Sequence, residues 1–200
     1  MKYKLTEETK VVDGHTLHRV VCVTAFASVY VGDIGGWVES EKNLSQEGNA
    51  WVCGDARVYG DAWVCGNARV CGNARVCGDA MVCGNAWVCG DARVYGDAWV
   101  CGNAEVYGNA EVCGDARVCG NAEVYGLTDF MVLKNSWSSG RCFTYTASNK
   151  MWKVGCFYGT GEELVKKAYK DSELSGKCYE AAVKYVEEIE RLKKELKNEH

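Results

Sequence analysis

From Gly48 to Tyr125 the chain runs through thirteen consecutive hexapeptides of the form G-(N/D)-A-x-V-(C/Y), without an insertion or a deletion. A six-residue period is too short for a helical repeat and predicts a β-solenoid, whose coils stack one on the next. Within each hexad Ala and Val occupy inward positions and alternate with outward x and Cys or Tyr, as the two-residue period of a strand requires. Gly followed by Asn or Asp turns the corner, because these residues tolerate positive φ. Asn49–Ala68 and Asn85–Ala104 are the same string, NAWVCGDARVYGDAWVCGNA, offset by 36 positions.

Val52-Cys53-Gly54-Asp55-Ala56-Arg57, with an aliphatic residue at i and a small one at i+4, resembles the left-handed β-helix hexapeptide pattern. That resemblance implies three hexads per triangular coil of 18 residues, and the offset of 36 equals two such coils. Outward residues then sort into columns on three sides. One side stacks Arg57, Arg75, Arg93 and Glu111 beside Tyr59, Cys77, Tyr95 and Cys113. A second stacks Trp63, Met81, Trp99 and Arg117 beside Cys65, Cys83, Cys101 and Cys119. The third stacks Trp51, Arg69, Trp87, Glu105 and Glu123 beside Cys53, Cys71, Cys89, Tyr107 and Tyr125.

Thirteen cysteines in a secreted chain suggest a disulfide scaffold. Here nine of them share one repeat position with four Tyr, which marks a packing position rather than a bridge. No C-x-x-C occurs, and thiols on a flat ladder make no tetrahedral cage, so no metal and no cofactor is expected. Reduced thiols acting as small apolar spacers are the expectation. The net charge of −4 is mild, and even residues 127–200 carry only 13 Lys and Arg against 11 Asp and Glu, which argues against nucleic acid as a partner. Proline is absent, as suits unbroken β ladders. No apolar run approaches ~20 residues and none follows the first charges, so neither a membrane span nor a signal peptide is expected and a cytoplasmic location is the default.

Before the repeats, Tyr3–Val12 and Thr16–Val23 flank Asp13-Gly14, a hairpin signal, and a hairpin there caps the solenoid's open end. Val31–Val38 echoes the repeat as a degenerate first coil, which Glu39–Glu47 interrupts as a polar loop. After Gly126 the period stops. Asp129–Lys134, Arg141–Thr146 and Met151–Tyr158 read as three strands. Thr160 and Glu163 have capping-box spacing ahead of a helix over Glu162–Lys170. A loop over Asp171–Gly176 precedes a helix over 177–197. On that helix Cys178, Ala182, Tyr185, Ile189, Leu192 and Leu196 form an a/d seam, available for coiled-coil self-association or for packing on the chain's own strands. The expected fold is mainly β: a single-stranded left-handed β-helix over 31–126, regular over 48–125, with a β cap over 1–30 and a small α+β domain over 127–200.

Tyr3-Lys4-Leu5-Thr6, Asp13–Arg19, Gly32–Val38, Asn43–Ala50 and the tail Trp152–Thr160 resemble hexapeptide-repeat proteins encoded by phages and mobile elements of Gram-positive bacteria, over nearly the full length. The resemblance implies a left-handed β-helix with small caps in a bacterial host cell. It carries no activity over to these residues.

The expected function is a non-enzymatic structural or interaction module, with a second copy of itself or a host protein as partner. The apolar side is the candidate interface, expected to be covered by the C-terminal segment or by another subunit: Trp63, Met81 and Trp99 with Cys65, Cys83 and Cys101, joined by Tyr185, Ile189 and Leu192 of the helix seam. Arg57, Arg75 and Arg93 with Tyr59 and Tyr95 form a candidate ligand face for an anion, a nucleic-acid backbone or host defence machinery, against the plainer reading of a solvated face with Arg stems lying over Tyr rings. An acyltransferase is disfavoured, because such β-helix enzymes place a catalytic His between subunits, whereas His15, His18 and His200 all lie outside the repeats and no catalytic residue stands out. Ice binding would need a uniform outward array, and DNA mimicry would need dense acidic columns. Neither fits the mixed x position.

Overall fold

The computed structural model describes residues 1–198, with side chains through residue 196; His200 lies outside the described residues. The chain forms two compact units, Met1–Leu127 and Thr128–His200.

The first unit is a β-solenoid. Among the described residues it holds thirteen two-residue strands, from Trp51–Val52 to Glu123–Val124, one per hexad. Each pairs in parallel with the strand 18 residues away, so the columns are those expected from an 18-residue coil: Arg57↔Arg75↔Arg93↔Glu111, Trp63↔Met81↔Trp99↔Arg117, and Trp51↔Arg69↔Trp87↔Glu105↔Glu123. Every repeat Val from Val52 to Val124 is fully buried, and the Ala residues from Ala50 to Ala122 are at most 1% exposed. Each such Val contributes roughly 1.5–3 kcal/mol on burial, so the stacked Val and Ala rows are the core.

The corners explain the invariant glycine. The glycines from Gly48 to Gly120 have φ between +60° and +72°, and a Cβ on Gly84 would lie 2.9 Å from the backbone nitrogen of Gly102 in the next coil. The 18-residue register also sorts the Asn/Asp position into separate corners. Asn49, Asn67, Asn85, Asn103 and Asn121 form one continuous side-chain ladder, each amide donating to the next at 2.8–3.0 Å. Asp61, Asp79, Asp97 and Asp115 line another corner.

At the amino end, β1 (Tyr3–Val12) and β2 (His15–Cys22) form an antiparallel hairpin around Asp13 and Gly14, both at positive φ. β2 pairs antiparallel with β3 (Ile34–Val38), and β3 pairs in parallel with the Arg57–Val58 strand, so the hairpin extends the first side. Its root reaches the open coil end: the Lys2 ammonium donates to the Ala50 carbonyl at 2.8 Å, and the Tyr3 hydroxyl donates to the Leu44 carbonyl at 2.5 Å. Its turn end lies over outward residues, where Leu17, Trp37 and Tyr59 form one buried cluster.

Glu39–Glu47 is not the interruption that its polarity predicted. Asn43 is fully buried, its amide donating to the carbonyls of Gly60 and Ala62 at 2.9 and 2.8 Å. Leu44 is also fully buried and bridges in parallel to Val64. A short 3-10 turn, Glu41–Asn43, thus supplies the missing side of the first coil, with one Asn replacing the lost ladder bonds.

The second unit is an antiparallel meander, β4 (Phe130–Lys134), β5 (Cys142–Thr146), β6 (Met151–Val154) and β7 (Phe157–Gly159), followed by α1 (Gly161–Asp171) and α2 (Glu173–Asn198). The single strand expected over Met151–Tyr158 is two, turned at Gly155, whose φ is +55°. The capping box forms as expected: the Thr160 side chain accepts from the Glu163 backbone and the Glu163 carboxylate accepts from the Thr160 backbone. The loop expected over Asp171–Gly176 shrinks to Ser172, whose hydroxyl accepts from the Ser175 backbone at 3.1 Å and starts α2. Gly176, which reads as a loop residue, is instead a packing residue, since a Cβ there would sit 2.2 Å from the Tyr169 ring. Phe143, Tyr145, Trp152, Leu164, Ala168, Tyr179, Val183 and Val186 form this unit's core. No helix among the described residues is long and apolar enough to cross a membrane.

Candidate functional site

The three sides of the solenoid differ in what lies on them. On the first, the hairpin turn descends onto the Arg/Tyr columns. Tyr59 is 4% exposed; its hydroxyl donates to the Asp13 carboxylate at 2.8 Å, and its ring lies 4.9 Å from that of His15. Arg75 donates to the same carboxylate at 2.7 Å. Arg57 is half-buried with its Nε shielded from solvent. Farther along, Arg93 pairs with Glu111 at 3.2 Å and Tyr95 is exposed. The candidate ligand face is therefore divided: Tyr59 and Arg75 are tied to the hairpin turn and Arg57 is half-buried, while Arg93 and Tyr95 stay accessible.

The third side is covered at its start in the same way. Trp51 is 4% exposed beneath the Phe26 ring, 5.6 Å away, and Arg69 donates to the Ser28 hydroxyl at 2.5 Å. Beyond them Trp87 is exposed, and Tyr107 meets Tyr125 edge-on at 3.9 Å.

On the second side even the first strand stays open. Trp63 is 41% and Trp99 37% exposed, with Met81 half-buried between them and the Arg117 guanidinium 4.8 Å from the Trp99 ring. Beside them Cys65, Cys83 and Cys101 are half-buried and Cys119 is buried. The chain thus keeps two indoles on one flat parallel sheet.

The thiol columns are electrostatically coupled. Burial and the neighbouring thiols push Cys83 and Cys53 up, with hydrogen bonds to Cys101 and Cys71 as the largest causes. Cys71 moves the other way, to about 7, chiefly because the Cys53 thiol donates to it, with the Arg69 charge adding to the effect.

In α2 the residues that pack are Tyr179, Val183 and Val186. Of the seam residues, Tyr185 and Leu192 are exposed and Ile189 is half-buried. The buried stripe is thus offset from the a/d pattern, because α2 packs on both a curved sheet and α1 rather than on one partner helix.

One cluster escaped sequence reasoning. His15 Nδ1 lies 3.0 Å from Glu39 Oε1, and Glu39 Oε2 accepts from the Gly60 backbone at 2.7 Å. These hydrogen bonds, His15 first, hold the Glu39 carboxyl below the usual carboxylate range. His18 instead meets the Thr6 carbonyl at 3.2 Å. The 24 residues between His15 and Glu39 carry no spacing signal; the antiparallel pairing of β2 with β3 brings them together.

Fold and repeat together define a hexapeptide-type β-solenoid repeat protein. Four stretches, residues 50–66, 68–84, 74–90 and 86–102, match the family model described as YdcK Beta solenoid repeat, all within the regular hexads. The Uncharacterized acetyltransferase YdcK of Escherichia coli (strain K12) is 36% identical over a stretch that makes up 26% of this chain and 18% of that protein. The chain thus matches less than a fifth of that relative's length.

Proposed function

We propose that the chain is a non-enzymatic interaction module that presents its Trp63–Met81–Trp99 side to a second copy of itself. One observation carries this reading: the first strands of the other two sides lie under the hairpin turn and Phe26–Ser28, while Trp63 and Trp99 stay exposed in register. Exposed indoles on one flat side are the kind of patch that marks an interface, and Trp dominates interface energetics. A flat side meets its own copy isologously, patch against same patch. On this reading the chain belongs to a phage or mobile element and acts in the bacterial cytoplasm, supported by the resemblance of its flanks. A host protein is the alternative occupant of the same side.

The test is solution mass by light scattering in reductant. The parent is expected to be a dimer or larger, and Trp63→Glu with Trp99→Glu to be a folded monomer. A parent that is monomeric at high concentration, or a double variant of unchanged mass, removes self-association through this side.

A second reading, a hexapeptide-type acyltransferase, is favoured by the His15–Glu39 pair and by the printed name of the relative. There His15 acts as general base on the acceptor nucleophile while Glu39 orients the ring. Thiol release from acetyl-coenzyme A in the presence of amine or alcohol acceptors, abolished by His15→Gln, supports it; release that survives His15→Gln, or no release, rejects it.

A further inference from the structure

We propose that the stacked thiols of the second side, Cys65, Cys83, Cys101 and Cys119, bind thiophilic two-coordinate cations such as Cu(I) or Ag(I), each ion held between the sulfurs of neighbouring coils. This site is independent of the self-association reading.

Register carries the inference first. Cys65, Cys83 and Cys101 each donate their backbone N–H to the Val just ahead of the next cysteine, at 2.9–3.0 Å, so the four residues climb the sheet one above another. The Trp99↔Arg117 and Val100↔Val118 pairing sets Cys101 over Cys119, and the Cys101 thiol donates to the Cys119 sulfur at 2.6 Å. Neighbouring strands in a sheet stand about 4.8 Å apart. A metal–thiolate bond is about 2.3 Å long for zinc, so a linear S–M–S unit of similar bonds needs sulfurs about 4.6 Å apart; the Cys101 and Cys119 sulfurs, 2.6 Å apart without an ion, would have to part, by side-chain rotation, to a separation that the strand spacing allows.

Geometry also selects the class of ion. Among the described residues no group of three or more His, Cys, Asp or Glu is placed to hold a metal, which leaves a tetrahedral cation without its cage. A two-coordinate ion needs only neighbours. Thiolates are soft ligands and favour soft Cu(I) over hard cations. Half-burial of the first three thiols and burial of Cys119 shield the sulfurs from water while leaving an entry path.

The chemistry balances without an oxidant. Filling one gap replaces two S–H bonds with two S–M bonds, releases two protons and leaves the oxidation state of sulfur and metal unchanged. Four sulfurs enclose three gaps, and a filled column shares its middle sulfurs between ions. Cys53, Cys71 and Cys89 repeat the arrangement on the third side.

The experiment is an anaerobic titration of the reduced full chain with Ag(I), then with Cu(I) against a competing chelator, read by native mass spectrometry and by thiolate-to-metal absorption. The parent is expected to take up several ions with proton release. Cys83→Ser with Cys101→Ser, which breaks the second-side column into separated thiols, should lower the number of ions bound to those held by Cys53, Cys71 and Cys89. Cys156→Ser, at an exposed thiol outside the repeats, should change nothing in the column. Should the serine pair fail to fold by circular dichroism, Cys83→Ala alone replaces it. An equal number of ions bound by parent and column variant, or uptake abolished by Cys156→Ser, would each overturn the proposal.

Discussion

Asp13, in the turn of the amino-terminal hairpin, accepts the Arg75 guanidinium at 2.7 Å from 62 residues away. The same carboxylate oxygen accepts the Tyr59 hydroxyl. One turn residue thereby ties the hairpin to two successive coils and decides which part of the Arg/Tyr side stays open.

Asp13→Ala is expected to cost about 1–2 kcal/mol, most of it from the Tyr59 hydroxyl left without its acceptor. The Arg75 pair is partly exposed and adds less than about 1 kcal/mol. Asp13→Asn keeps an acceptor and tolerates the positive φ, so its cost should be the smaller of the two. Urea unfolding measures both, and amide exchange in β1 and β2 should quicken in the Ala variant only. Equal exchange in parent and Ala variant would show that the turn is not anchored by Asp13.

Two corner glycines separate conformational strain from collision. Gly84 and Gly114 both have positive φ, but a Cβ on Gly84 meets the backbone of Gly102, while one on Gly114 meets nothing within 4 Å. Gly114→Ala should cost about 1–2 kcal/mol, the left-handed penalty alone. Gly84→Ala should cost roughly 3 kcal/mol or more, because a rigid backbone stands in the way. Thermal melts of the two variants decide it, and equal costs would mean that coil spacing is softer than the register indicates.

Lys2 links the coil end to pH. Burial lowers its pKa from 10.5 to about 8. Between about pH 8 and 10.5 the unfolded chain therefore holds a proton that the folded chain has released, and Lys2's contribution to stability rises with pH across that window. Lys2→Met lacks this titration but shares every cysteine and tyrosine with the parent. The stability difference, parent minus variant, should grow between pH 8 and 10 in denaturant melts. A difference that stays constant or shrinks would show that Lys2 keeps an ordinary pKa.

In the second unit, Val183 and Leu192 test which stripe of α2 packs. Val183 is 7% exposed and Leu192 41%. Val183→Ala should cost about 1.5–2 kcal/mol from the two buried carbons lost, and Leu192→Ala less than about 0.5 kcal/mol, as for a surface substitution. The reverse order would restore the a/d seam as the packed face.

Much of the solenoid was legible because its interactions repeat. The inward Val and Ala, the glycine corners and the three outward columns follow from a six-residue period and an 18-residue coil, and the 36-residue identity already contained that register. The candidate interface columns were readable for the same reason. Elements outside the period were read less well. Glu39–Glu47 looks polar, yet Asn43 and Leu44 complete a coil, because one buried amide satisfies two carbonyls that no local pattern reveals. Gly176 reads as a break and is a contact, because the Tyr169 ring that demands it belongs to another helix.

Sequence alone determined the stacking, since a strict period makes each residue's neighbours a matter of arithmetic, and it determined the Asp13-Gly14 turn, whose φ values are local. Tertiary structure alone decided where that turn lands. The Asp13 contacts to Tyr59 and Arg75, the His15–Glu39 pair and the cover over Trp51 join residues with no fixed spacing, and their geometry depends on how a twisted hairpin lies across a flat side. Those contacts cover Trp51, Tyr59 and part of Arg75 and leave Trp63, Trp87 and Trp99 exposed.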